Sequence, residues 1–264
     1  MTTLKVIGVI RVEGTLLAIS ACLCIFLHMQ LARAETASET SQSSSADPRE
    51  EYHQGSPDWL RAVGKLRVPG STYEDGKRVY HWQDCSATLV SANGSARADT
   101  IVTAWHCLEN YSDLSKPIQF TLAAGQDPPI SREAYRLADG GGMYADWAVL
   151  RLLVPINSDH ATALPIHPAG PESGTSIAMA GYSRKTPLGD FGNRLTFDPL
   201  CSIKLQSQNA IESNCLAQKG ASGGAVVQRS GNGTLWFVGV ISEGDGRGIS
   251  RFVPVERFRT ALSQ

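Results

Sequence analysis

The chain has 264 residues, 42% of them hydrophobic, enough to build one large all-β domain or two modest subdomains that share a cleft. Its 24 Lys and Arg nearly balance 25 Asp and Glu, so no strong field draws it onto nucleic acid or an anionic membrane.

At the N-terminus, Lys5 and Arg11 precede an apolar run over residues 16–27, and Ala32-Arg33-Ala34 offers small residues at both recognition positions of a signal peptidase. The run is shorter than the roughly 20 residues of a spanning helix. Residues 1–34 are therefore expected to be a signal peptide, leaving no stable membrane association once it is cleaved after Ala34. Ile19-Ser20-Ala21-Cys22 also resembles a bacterial lipobox, but the apolar run continues past Cys22, as in a plain signal peptide. Cleavage removes Lys5, Arg11, Arg33 and Glu13, which leaves 21 basic and 24 acidic residues and a formal charge of −3. It also removes Cys22 and Cys24. The exported chain keeps Cys85, Cys107, Cys201 and Cys215, an even number suited to an oxidising compartment. Two disulfides are expected, and of the three connectivities the sequence neighbours favour Cys85 with Cys107 and Cys201 with Cys215. Neither Cys-x-x-Cys nor His-Glu-x-x-His spacing occurs, so no metal site is expected.

Residues 35–56 are rich in Ser, Thr, Glu and Gln, bury little, and read as a disordered tail or propeptide. From Pro57 onward, short apolar or alternating runs are broken by Gly, Pro, Asn and Asp: residues 62–68, 78–90, 100–104, 118–123, 147–154 and 176–181, then 195–205, 224–228, 235–241 and 249–253. Many short strands with regular turn signals indicate an all-β sandwich or barrel. Only the end reads as helical, with Pro254 at a first helical position and Val255, Phe258 and Leu262 at helix spacing.

The strongest local signal is Gly220-Ala221-Ser222-Gly223-Gly224, a serine between glycines that permit a tight turn and a close backbone approach to a ligand. The pentapeptide also fits Gly-x-Ser-x-Gly, the nucleophile elbow of α/β-hydrolases. In that fold the histidine follows the serine, whereas all six histidines here precede Ser222, so no base remains for an esterase of that type. His106, Asp146 and Ser222 instead run in the order His, Asp, Ser.

Around these residues the sequence resembles the chymotrypsin-like serine proteases. Thr103-Ala104-Trp105-His106-Cys107 is similar to the family's Thr-Ala-Ala-His-Cys, and Cys85-Ser86-Ala87-Thr88-Leu89-Val90 to its Cys-Ser-Gly-Ser-Leu-Ile strand. Asp146-Trp147-Ala148-Val149-Leu150 resembles Asp-Ile-Ala-Leu-Leu, and the glycine-flanked Ser222 resembles Gly-Asp-Ser-Gly-Gly. The resemblance implies two six-stranded antiparallel β-barrels with a short C-terminal helix: an N-terminal barrel over residues 57–155, and a C-terminal barrel and helix over 156–264. It implies a secreted or periplasmic serine endopeptidase, expected to be monomeric, acting on protein or peptide substrates without a cofactor. His106, Asp146 and Ser222 are implied as the triad, the amides of Gly220 and Ser222 as the oxyanion hole, and Ser242, Glu243 and Gly244 as the substrate-binding strand.

Departures from the family pattern carry their own expectations. Ala221 stands where the digestive enzymes carry the aspartate that pairs with a newly cut N-terminus, and no Ile-Val-Gly-Gly start exists. The site is therefore either formed constitutively or activated otherwise, for example by trimming residues 35–56. Leu216 falls where a trypsin-like enzyme carries its pocket aspartate, so strict Lys/Arg preference is not expected. The pattern is closer to bacterial extracellular trypsin-like proteases. The alternative is a protease-fold binding protein that has lost catalysis.

Overall fold

The computed structural model describes residues 47–91, 97–185, 187–207 and 209–263; the expected signal peptide, residues 1–34, lies outside them. Strands β2 (Val63–Glu74), β3 (Lys77–Ser91), β4 (Arg97–Thr103), β5 (Ile118–Leu122), β6 (Ile130–Asp139) and β7 (Ala148–Asn157) pair antiparallel in the order β2-β5-β6-β7-β4-β3. The β2–β3 pairing closes them into a barrel, and β8 (Leu164–Pro165) adds to β3 in parallel. The second barrel runs β9 (Ser176–Gly181), β10 (Thr196–Gln206), β11 (Ile211–Ser213), β14 (Ser250–Pro254), β13 (Leu235–Gly244), β12 (Ala225–Arg229), and the β12–β9 pairing closes it. This is the two-barrel, chymotrypsin-like architecture that the sequence implies.

Two patterns of burial follow from closure. On β5 burial alternates, with Ile118, Phe120 and Leu122 inside, as a strand with one face on a core requires. The second half of β3, from Cys85 to Ser91, is buried without a break, because one face lines its own barrel while the other meets the second barrel. The apolar core is continuous through that seam. Phe120 of the first barrel and Phe237 and Phe258 of the second half belong to one cluster, and each is fully buried. Burial of such side chains stabilises by about 1.5–3 kcal/mol apiece, so the seam fixes how the barrels meet.

One expectation is corrected. Of the expected tail or propeptide, residues 35–56, the part 35–46 lies outside the described residues, and the part 47–56 is not a free tail: β1 (Glu50–Glu51) pairs with Phe197 and Thr196 on the edge of β10 left open before β11 begins. Its polar side chains find partners. Arg49 is 6% exposed, and Glu51 accepts from the Gly189 amide at 2.8 Å and from Arg194 at 3.0 Å. The short C-terminal helix that the resemblance implies takes the form of two 3-10 turns, Val255–Arg257 and Arg259–Ser263, separated by Phe258 at φ −131°. Phe258 stacks on Trp147 at 5.6 Å and meets Phe237 edge-on at 6.4 Å, and this packing holds it in a conformation that no α-helix accommodates.

Candidate active site

The sheet register brings His106 and Asp146 together. Thr103, at the end of β4, pairs with Ala148, at the start of β7, so the residues just beyond each strand are neighbours. His106 lies in the 3-10 turn Trp105–Cys107, which the Cys85–Cys107 disulfide ties to β3. Asp146, 1% exposed, receives three hydrogen bonds. The His106 backbone amide donates to Oδ1 at 2.9 Å, His106 Nδ1 pairs with Oδ2 at 2.9 Å, and the Ser242 hydroxyl donates to Oδ2 at 2.5 Å. Burial raises the carboxyl's pKa, but the imidazole's hydrogen bond and charge, with the Ser242 hydroxyl, outweigh it and hold the group below its ordinary value. With Nδ1 committed to Asp146, Nε2 is the ring nitrogen left for a reacting group, on a side chain that is 23% exposed.

Ser222 sits in the turn before β12, between Gly220 at φ +99° and Gly223 at φ +83°, both in the left-handed region. A Cβ at Gly223 would lie 2.1 Å from both the Ser86 carbonyl oxygen and the Thr103 hydroxyl, so glycine lets this turn press against the first barrel. The Ser86 amide donates to the Ser222 carbonyl at 2.8 Å, and the Cys107 sulfur lies 3.9 Å from the same oxygen. The Ser222 hydroxyl donates to the Ser242 carbonyl at 3.3 Å, and among the described residues it makes no hydrogen bond to His106. Ser242 thus joins the group, accepting from Ser222 through its backbone and donating to Asp146 through its side chain.

The Lys219 carbonyl accepts from the Arg184 amide at 2.8 Å. Across a trans peptide the N–H points the opposite way, so the Gly220 amide faces away from that bond. Among the described residues neither the Gly220 nor the Ser222 amide donates to a protein acceptor. The Gly220 carbonyl is held from below by the Ser86 hydroxyl at 2.9 Å.

The three residues expected on the substrate-binding strand divide. Ser242 is buried, with its hydroxyl spent on Asp146, whereas Glu243 and Gly244 are exposed on β13, where the pairing with β14 shifts register between Ile241 and Glu243. Glu243 turns to Arg251 at 3.7 Å and, with Gly244, borders a cavity of about 470 Å³. Gly244 lies flush on the 217 backbone: a Cβ there would fall 2.4 Å from the Ala217 carbonyl oxygen. Both expected disulfides form, Cys85–Cys107 and Cys201–Cys215. Cys85, His106 and Cys107 form the one cluster of potential metal donors among the described residues, but both sulfurs are joined in a disulfide. Sequence reasoning missed the linking role of Ser86. Its sequence signal is weak, because Ser86 is one of three polar residues, with Thr88 and Ser91, in the buried half of β3.

The sequence matches the trypsin-like peptidase domain family over residues 85–240, more than half of the chain. No curated protein matches it. The fold is similar to that of the protease Anisep from Arthrobacter nicotinovorans, at 19% identity and a TM-score of 0.57, covering 82% of this chain and all of that one. It is similar also to the thermostable serine protease AL20 from an extremophilic microorganism, at 18% identity and a TM-score of 0.54, covering 78% and 97% of the two chains. A serine endoprotease from Yersinia pestis aligns at 17% identity and a TM-score of 0.51, covering 78% of this chain and 65% of that one. With two closed barrels, a carboxylate-bound histidine and a glycine-flanked serine at their junction, the chain belongs to the family of trypsin-like peptidases.

Proposed function

We propose that this protein is a serine endopeptidase, exported to the periplasm or the exterior, that cleaves peptide bonds through an acyl-enzyme on Ser222. The observation that carries the reading is the buried Asp146 carboxylate holding His106 Nδ1 at 2.9 Å, one residue from the disulfide turn that touches the Ser222 backbone. In this reading His106 Nε2 takes the Ser222 proton as Oγ bonds to the substrate carbonyl carbon. Asp146 fixes the tautomer and stabilises the imidazolium. The oxyanion forms beside the free amides of Gly220 and Ser222. Collapse of the tetrahedral species breaks the C–N bond, the imidazolium proton goes to the leaving amine, and water then releases the acid by the same route. The two disulfides support an oxidising location.

One observation favours the competing reading of a binding protein without catalysis: the Ser222 hydroxyl bonds the Ser242 carbonyl rather than the imidazole. A fluorophosphonate probe separates the two. An active enzyme is labelled on Ser222 and Ser222→Ala is not, with both proteins melting alike; a wild-type chain that resists the probe and cleaves no peptide would sink the protease reading.

A further inference from the structure

The Ser222 loop has a second face, turned to the interior of the C-terminal barrel, and a charged side chain occupies it. The stretch 216–221 leads into Ser222, and its residues Leu216, Ala217 and Ala221 line a small space together with Met179, Phe197 and Ile241. Arg49 enters this space from the N-terminal segment. Its side chain is 2% exposed, although guanidinium groups are almost never so enclosed without cause. One partner comes from its own segment: Asp47 accepts from Arg49 Nε at 3.0 Å and from Nη2 at 2.6 Å. The remaining nitrogen, Nη1, is buried without a hydrogen-bond partner, at a residual cavity of about 10 Å³.

The loop's first residue has a buried anchor of its own. Asp198, 2% exposed on β10, accepts from the Leu216 amide at 2.8 Å. Burial raises its pKa above the ordinary carboxylate value, the Leu216 amide opposes that rise, and of its charged neighbours Asp47 adds to it while Arg49 lowers it. A buried carboxylate is costly unless a cation is near. The β1–β10 pairing, Glu50 with Phe197, sets Arg49 one residue before the paired strand and fixes the depth at which the guanidinium sits.

We infer that Arg49 is the positioning residue of the nucleophile loop: inserted behind Ala221 and paired with Asp47, it holds the loop in the form that presents Ser222 and the Gly220 amide. Position 221 itself has no charge to contribute. The cation and its carboxylate instead arrive together on one strap, so the loop is seated without any cut in the chain, and removal of residues 35–56 disarms the site. For its catalytic consequence the inference rests on the protease reading above.

The test uses the full exported chain with Arg49→Met, which keeps the stem and removes the charge, and Arg49→Lys. Misplacement of reacting groups by about 1 Å costs about 100-fold, so Arg49→Met should lower the fluorophosphonate labelling rate and kcat by roughly 10- to 100-fold with KM nearly unchanged, and Arg49→Lys should recover part of both. Hydrogen exchange supplies a readout that needs no activity. The Leu216 and Ala221 amides should exchange about tenfold faster or more in Arg49→Met, while those of β12 and β13 keep their protection. If Arg49→Met does not fold, Asp47→Ala gives the same pattern in weaker form. Labelling within twofold of wild type, or an unchanged Leu216 amide, overturns the inference. A wild-type chain inert to the probe overturns the protease reading instead, and exchange then decides the role of Arg49 alone.

Discussion

Replacing Gly220 by alanine separates the geometry of the proposed oxyanion site from the stability of the fold. Two costs are built into the position. Its φ of +99° lies where an L side chain is strained by about 1–2 kcal/mol. The new Cβ would also stand 2.5 Å from the Tyr182 carbonyl oxygen and 3.1 Å from Arg184 Cγ. Tyr182 has little room to retreat, because its amide is held by the Ser86 hydroxyl at 2.8 Å. Relief comes from rotating the peptide between Lys219 and Gly220, which breaks the 2.8 Å bond from the Arg184 amide and swings the Gly220 N–H away. Loss of one such donor costs about 100- to 1,000-fold in kcat, or about 2.7–4 kcal/mol of transition-state stabilisation, with little change in KM. Steady-state kinetics on a peptide ester, with thermal melting alongside, reads both effects. Gly174→Ala is the control: its φ is +77° but nothing lies within 4 Å of the added Cβ, so it should lower the melting temperature and leave kcat intact. If Gly220→Ala turns over within twofold of wild type, the assignment of its amide to the oxyanion is refuted.

Asp146→Asn keeps the shape of the buried acid but no longer fixes the His106 tautomer, and kcat should fall by about 10⁴ with the fold retained; a drop below tenfold would mean that the carboxylate does not serve the histidine. Replacing both Cys201 and Cys215 by serine opens a link of sequence separation 14 and should lower the unfolding free energy by about 3 kcal/mol, read as a shifted urea midpoint at unchanged slope. Stability should also fall in acid. Asp146 and Asp47 are held below their ordinary value of 3.8, so each contributes stability that is present above that value and is lost as pH falls through the folded pKa. Denaturant titrations from about pH 5 downward should show this slope, shallower in Asp146→Asn; equal slopes would mean that the fold does not hold the Asp146 carboxyl low.

The strands were legible where one face meets a core and the other meets water. Residues 118–123, 176–181 and 235–241 alternate or run apolar between turn residues, and each overlaps a strand of the structure. β6 escaped that reading because Ala134 is its one fully buried residue and charged side chains dominate its outer face. Segment 47–56 escaped it for a related reason: its order comes from ion pairs and two backbone pairings, to which hydrophobic periodicity is blind. The order His106, Asp146, Ser222 was open to sequence reasoning because each residue carries its own local pattern. The role of Ser242 was only half visible, since a strand position predicts which face a side chain takes but not that its hydroxyl ends on Asp146.

Two consecutive residues of β3 explain how a site divided between two barrels is kept in register. Cys85 holds the His106 turn through its disulfide to Cys107. Ser86, fully buried, holds the other half: its amide donates to the Ser222 carbonyl at 2.8 Å, its hydroxyl donates to the Gly220 carbonyl at 2.9 Å and accepts from the Tyr182 amide, and its carbonyl accepts from Thr103 at 2.8 Å. Adjacent residues on a strand point to opposite faces, so one peptide unit reaches into both halves at once. A hinge motion between the barrels would have to break several of these buried hydrogen bonds, each costly to leave unmade. His106 and the Ser222 loop are therefore referred to a single rigid strand, and what remains adjustable is the far side of that loop, where 216–221 meets Arg49.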